Sequence, residues 1–369
     1  MRRFNCILIC FNICLINLSV QAQKTAPLWE DFVKAKKSGS TAVLPDFSYA
    51  GYGFSEIPIP SLSGKKIFKV DDYGAKPNDD QFDDEAIQMA INAAESNPGG
   101  GIVFFSSGKY LIAPDEDATK QIRITKSNIV LKGNGSGKGG TEIYQANMRI
   151  NGRQFLFKPE DNKVERLTTI VKDAGRETFS VAVKDASKLK VGQDVAIRHR
   201  SEEFTKLYFS PLELKPQWSR LFGDKGGMLI YEIHTITKIE GDKVSFKNPI
   251  HIDIKMVKPA NWTIESYNSI DQCGVEDILF TSNWKNYPEE FIHHKNEIHD
   301  YAYEAIGMEY LKNSWVRNCE FHDWNEGIYL RSGYQITIEN THFRGKKGHA
   351  SVHARTGYGV LVKKCTFNG

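Results

Sequence analysis

The sequence predicts an all-β fold: a parallel β-helix (solenoid) with one N-terminal helix and a β-rich insertion. Three observations predict it. Val316–Phe321, Ile338–Phe343 and Val362–Phe367 superpose without gaps, their phenylalanines 22 and 24 residues apart, and Val275–Phe280 is a fourth copy 41 residues earlier. Short apolar runs separated by glycine or asparagine turns fill residues 101–145. The one extended helical period lies just before them, at Ile87, Ala90, Ile91 and Ala94. A period of this length built on short strands buries its apolar positions only by stacking coil on coil. A leucine-rich repeat has a similar spacing, but its asparagine–leucine consensus is missing.

Along the chain, residues 1–22 read as a cleavable secretory signal, with Arg2 and Arg3, an apolar run Ile7–Val20, and Val20-Gln21-Ala22 as the cleavage site. A secreted or periplasmic location follows. No stable membrane insertion is expected once the signal is gone, because the run is short of the ~20 residues a span needs. Residues 23–66 form an N-terminal arm, helix-like at Leu28–Val33 and then extended. Residues 67–163 open the β-helix. They run from the strand Phe68–Val70 through a helix begun by Asp83 and Asp84 and stopped by Pro98-Gly99-Gly100-Gly101, then into Ile102–Phe105 and further short strands. Residues 164–258 change texture: alternating strands such as Phe179–Val183 and Val195–Ile197, a hairpin at Gly241-Asp242, and an aromatic loop from Tyr208 to Phe222 mark the insertion. Residues 259–369 resume the coils. Phe367 lies two residues before the end with no capping segment after it, which fits a coil stack continuing in a longer chain.

Phe68 to Tyr144 resembles the pectate-lyase superfamily, and within it the rhamnogalacturonase/epimerase-like pectate lyase domain. The residues that carry this are Asp72-Tyr73-Gly74-Ala75, the acidic turn Asp79–Asp84, Glu85–Ile91, Gly100–Phe105, Gly108-Lys109-Tyr110 and Ile129–Ser136. Ser106-Ser107 stands where the family has a proline-small pair. The resemblance implies a right-handed parallel β-helix whose N-terminal helix caps the open end of the bore, where a strand edge would otherwise be exposed. It implies little about activity, because the family holds lyases, hydrolases, epimerase-like proteins and phage tailspikes. Gly133–Gly140 with Lys138 imitates a phosphate loop, but residues 132 and 139 break the required spacing and a solenoid turn is expected.

Composition excludes several functions. After the signal the chain carries 46 basic against 45 acidic residues, too balanced for a nucleic-acid binder. With 40% apolar and 11% aromatic residues it is no disordered chain. Three cysteines remain, Cys273, Cys319 and Cys365, an odd number without metal-ligand spacing. No metal site is assigned among the candidate residues; calcium is left open as a cofactor.

The candidate site lies in the C-terminal third, where seven of the ten histidines fall between 293 and 353. On a strict two-residue alternation Lys347, His349, Ser351, His353 and Arg355 share the outer face of a strand. Subtracting 24 residues places Asn325, Tyr329 and Arg331 beside them, and subtracting 22 more places Tyr303 and Glu309, with clearings at Gly327 and Gly307. The bland alternative is a solvated sheet face with an ordinary Glu309–Arg331 ion pair; Glu326 points inward. His293, His294 and Lys295 sit in a long loop that flanks the groove. Trp284, Tyr287, Trp315 and Trp324 are candidates for stacking on sugar rings, though for Trp315 coil packing is an equal account.

This patch suits an acidic sugar. The expected function is a polysaccharide lyase cleaving a uronic-acid-containing glycan by β-elimination. Arg331 and Arg355 would neutralise the uronate, with His353, His349, Tyr329 or Tyr303 as base. Lys347, Asn325, Glu309, His293, His294 and Lys295 would bind substrate. A glycoside hydrolase using Asp323, Glu309, Asp300 or Glu326 is the alternative, and a non-catalytic glycan-binding β-helix the third.

Overall fold

The computed structural model describes residues 26–40, 42–217, 222, 226–258 and 261–368. The secretory signal expected over 1–22 and part of the Tyr208–Phe222 loop lie outside them. The chain divides into two compact units, residues 1–45 and 46–369. The first contains helix α1 (Pro27–Ser38), which starts with proline in its first turn and ends at Gly39 in a left-handed conformation (φ 72°).

The second unit is a right-handed parallel β-helix with three sheets, visited in turn by each coil. The first sheet stacks Ile67–Lys69, Gly101–Phe104, Ile129–Lys132, Gly274–Glu276, Leu311–Arg317, Gly333–Glu339 and Gly357–Lys363. The second stacks Gly108–Ile112, Thr141–Gln145, Leu279–Ser282, Glu320–His322, His342–Arg344 and Thr366–Asn368. The third, which carries the candidate site, stacks Ile122–Ile124, Arg153–Phe157, Glu304–Glu309, Glu326–Arg331 and Ala350–Ala354.

The repeat read from the sequence spans the corner between the first and second sheets. Phe280, Phe321, Phe343 and Phe367 occupy one register position and stack at ring-centroid distances of 4.9, 5.0 and 5.2 Å. At the corner Asp277, Asn318 and Asn340 adopt positive φ (59°, 56° and 47°), which asparagine and aspartate tolerate better than other residues with a Cβ. Their side chains form a ladder, Asn340 Nδ2 donating to Asn318 at 2.8 Å and Asn318 Nδ2 to Asp277 at 3.1 Å. Cys273 and Cys319 are buried, and burial pushes both thiols up to about 12.

Helix α2 (Asp84–Ser96) buries Ile87, Ala90, Ile91 and Ala94 in the same core as the first coils. Asp83 and Asp84 tie it down by accepting from Leu111 N and Ala113 N of the adjoining coil rather than by capping their own helix. Residues 46–66 carry Tyr52 and Phe54 onto Trp315 and Tyr334 of the coils. Between Phe157 and Gly274 a six-stranded antiparallel sheet interrupts the coils with a core of its own, including Val195, Ile197, Trp262 and Ile264. Its strands run from Arg166–Thr169 to Thr263–Ser266, the last lying beyond residue 258. Tyr334 and Tyr358 fasten it, their hydroxyls donating to Asn248 Oδ1 (2.9 Å) and Pro249 O (2.8 Å). Among the described residues no helix is long and apolar enough to cross a membrane.

Candidate active site

The third sheet keeps the coil register expected for it. Gly307, Tyr329 and His353 are successive partners, as are Ile306, Ile328 and Val352, and Glu309 opposes Arg331. The strict alternation does not survive. The ladder passes over Ala305, Gly327 and Ser351, and the parity of inside and outside reverses there. Tyr303, Ala305 and Ile306 all belong to the core, and a Cβ on Gly327 would meet the ring of Phe343. Glu304 and Glu326 therefore share the outer side with Tyr329 and His353, where alternation alone would turn them inward.

That reversal creates a compact charged column. Glu304 and Glu326 are register partners on adjacent coils, each 2% exposed. Glu326 Oε1 accepts from His353 Nδ1 at 2.9 Å. Arg153, from the strand before the insertion, lies with Nε 3.6 Å from Glu304 Oε2 and Nη1 3.7 Å from Glu309, while its guanidinium covers the Tyr329 ring at 3.9 Å. Burial pushes Glu304 up to about 8, against the pull of Arg153 and helped by the neighbouring Glu326. Burial would raise Glu326 too, but hydrogen bonds from His353 and Glu304 outweigh it and hold Glu326 below its ordinary value. The two carboxyls are thus shifted in opposite directions, Glu304 toward its neutral form and Glu326 toward its charged one.

His353 is the half-exposed member of the column. Its ring meets Tyr329 edge-on at 5.2 Å, and Nε2 has no hydrogen-bond partner among the described residues. Arg331 and Arg355 are exposed on the same outer face and form no ion pair among the described residues. Arg355 N donates to Leu330 O at 2.9 Å, which keeps the two arginines on neighbouring strands, about 4.8 Å apart at the backbone.

Other expected members stand elsewhere. Tyr303 is 6% exposed in the core, and burial pushes its phenol up to about 12, so it is no base. Asn325 is fully buried and brackets the loop, donating to Ile298 O and His299 O and accepting from His349 N; it is not free for substrate. Glu309 is buried against Arg153 and Lys158 rather than paired with Arg331. The clearing at Gly307 is filled by Arg153, whose Cδ occupies the space a Cβ would need. Lys347 is exposed but precedes the strand, and its carbonyl accepts from the Trp284 indole. Trp284 and Trp315 are fully buried, Trp324 is 7% exposed, and Tyr287 stacks on Trp284 at 4.7 Å, so coil packing accounts for them.

The loop histidines do flank the column. His293 Nε2 lies 3.2 Å from His349 Nε2, and His294 is held by Asp300 through Nδ1 at 3.0 Å. Burial lowers His349, with Glu326 opposing and His293 adding to the effect. Lys295 and the buried His299 both bind Glu289, whose carboxyl their hydrogen bonds hold down to about 2. His322 belongs to the second sheet and pairs with Glu320 at 2.8 Å, while Asp323 is a turn residue accepting from Lys346 N. Among the described residues no group of three or more histidine, cysteine, aspartate or glutamate side chains is arranged to hold a metal ion.

Sequence reasoning missed Arg153 and Glu304. The coil register itself could have found Glu304, 22 residues before Glu326. No spacing signal points to Arg153, because the insertion separates it from its strand partner Glu304.

Comparison with known proteins places the chain in a family. A model of the family described as rhamnogalacturonase A/epimerase, pectate lyase-like, matches residues 67–329. Alginate lyase 7 of Azotobacter vinelandii is 32% identical over 119 residues, which is 32% of this chain and 12% of that protein. Iota-carrageenase of Alteromonas macleodii is 31% identical over 91 residues, 24% of this chain and 18% of that one. The match thus spans under a fifth of either relative. Among solved structures, the A-module of mannuronan C-5 epimerase AlgE6 from Azotobacter vinelandii covers 82% of this chain and 57% of its own, at 13% identity and a TM-score of 0.38.

Proposed function

The chain belongs to the rhamnogalacturonase A/epimerase, pectate lyase-like family, and from that premise we propose that it is a lyase cleaving an acidic, uronic-acid-containing polysaccharide by β-elimination. The observation that carries the reading is the His353–Glu326 contact of 2.9 Å. It leaves Nε2 of the imidazole as the free basic atom on an outer face that also presents Arg331 and Arg355.

A uronate C5 proton is weakly acidic because the adjacent carboxylate must take up the developing charge. Arg331 and Arg355 neutralise that carboxylate and stabilise the enolate-like intermediate. His353 Nε2 takes the C5 proton while Glu326 stabilises the imidazolium through Nδ1. The C4–O bond then breaks, C4 and C5 become doubly bonded, and the imidazolium returns its proton to the departing oxygen. His293, His294 and Lys295 border the groove from the loop side. The hydrolase alternative fits this column less well. Glu304 and Glu326 are each only 2% exposed, whereas a glycosidase's two carboxyls must both reach the sugar.

The test is ultraviolet absorbance of unsaturated uronates over a panel of purified alginate, pectin, rhamnogalacturonan, ulvan and glycosaminoglycans. It is run with and without calcium, beside a reducing-end assay and NMR of the C5 configuration. Absorbance rising with reducing ends on one member supports the lyase. Reducing ends without absorbance mean hydrolysis, and C5 inversion without cleavage means an epimerase that stops after the shared first step. Binding with no product leaves a glycan-binding solenoid.

A further inference from the structure

Successive coils contribute Glu304, Glu326 and His353 to one column. Glu304 and Glu326 are register partners, both 2% exposed, and Glu326 receives the His353 Nδ1 proton at 2.9 Å. Two carboxyls paired on adjacent strands at that burial disfavour both being charged. The imidazole on Glu326 keeps that carboxyl ionised, so the proton belongs to Glu304. The groups facing the pair complete the balance. Arg153 from the preceding coil is shared between Glu304 and Glu309. Glu309 on the same strand is taken up further by Lys158. From the following coil His353 touches Glu326, and His349 lies within its field.

We propose that Glu304 is a positioning residue: it keeps its proton, donates it to Glu326, and through Glu326 fixes the tautomer and basicity of the His353 imidazole. This rests on the reading of His353 as the base. No proton leaves Glu304 during turnover. The substrate proton moves to His353 Nε2, and Nδ1–H stays on Glu326. If Glu304 ionises, a second negative charge beside Glu326 makes His353 hold its extra proton to higher pH, and the base is withdrawn. Glu304 thus sets an alkaline limit.

The test is an NMR titration of the full chain, labelled at glutamate carboxyl carbons and histidine ring nitrogens, as wild type and Glu304→Gln. The glutamine keeps a donor toward Glu326 but cannot titrate. The expected result is one wild-type carboxyl titrating at about 8, missing from the variant, with a second step in the His353 ring nitrogens at the same pH that the variant lacks. On a glycan that is turned over, the alkaline limb of kcat/KM moves or vanishes in Glu304→Gln. The proposal is overturned if every glutamate carboxyl titrates in the ordinary range, or if the second His353 step survives in the variant. The wild-type carboxyl titration decides even where the variant fails to fold. A chain that turns over no glycan but shows the coupled titration loses the proposed function and keeps the positioning role. The reverse result does the opposite.

Discussion

Phe280, Phe321, Phe343 and Phe367 stack ring on ring along the second sheet, while Glu304 and Glu326 stack by the same one-residue-per-coil rule on the third. In-register repetition of an apolar ring adds stability with each coil, because every new ring finds a face to cover. In-register repetition of a carboxyl does the reverse: the second copy repels the first, and the column is tenable only with a proton on one member and an imidazole on the other. One register therefore yields a structural column and a column whose protonation state is its distinctive property. The comparison teaches that a solenoid's chemistry is found where like residues stack at a cost.

The largest expected effect breaks the apolar column. Phe321→Ala removes the ring between Phe280 and Phe343 and should destabilise the fold by about 3–5 kcal/mol in urea denaturation. An equal loss from His353→Ala would erase the contrast between the columns. Instead, His353→Ala should cost less stability, about 1.5–3 kcal/mol from the lost bond to the buried Glu326, and lower kcat/KM by about 10²–10⁴-fold on the glycan that is cleaved. Arg331→Ala and Arg355→Ala come next, each expected to lose on the order of 10²-fold in kcat/KM without melting. An unfolded Arg355→Ala protein would place that residue in the structural column.

The two columns were not equally legible. The phenylalanine repeat is visible because a bulky residue recurs at a corner whose preceding asparagine is also repeated, so type and spacing agree. The register of the third sheet followed correctly from that repeat, down to Tyr329 against His353 and Glu309 against Arg331. What failed was the facing of side chains near Tyr303, Asn325 and Glu326. Alternation assumes an unbroken strand, and the bend at Ala305, Gly327 and Ser351 is made by small residues that carry no distinctive turn signature. Arg153 was hidden for a different reason, since an antiparallel sheet lies between it and its neighbours in space.

A smaller effect sharpens the charged column through pH. Glu304 titrates at about 8 when folded, against an ordinary value of 4.5. A carboxyl raised on folding contributes fully at pH below its unfolded value and loses that contribution as pH rises through the folded one. Between roughly pH 4.5 and 8 the wild type should therefore lose stability relative to Glu304→Gln, by about 1–3 kcal/mol at the alkaline end. Denaturant midpoints of the two proteins should diverge as pH rises, and parallel curves would remove the buried proton from the account.

The smallest effect concerns the corner that both columns depend on, and a pair of variants separates its two causes. Asn340 holds φ at 47° and donates to Asn318 at 2.8 Å. Asn340→Ala loses the hydrogen bond and places a Cβ without compensation in the left-handed region, at a cost of about 1–2 kcal/mol. Asn340→Gly loses the same hydrogen bond but none of the backbone ease, and an exposed side-chain bond of this kind is worth only about 0.5–1 kcal/mol. If conformation dominates, glycine should be clearly more stable than alanine in thermal denaturation and close to wild type. Equal losses would mean that the ladder itself holds the corner, and that the asparagines recur to bond one another rather than to make the turn.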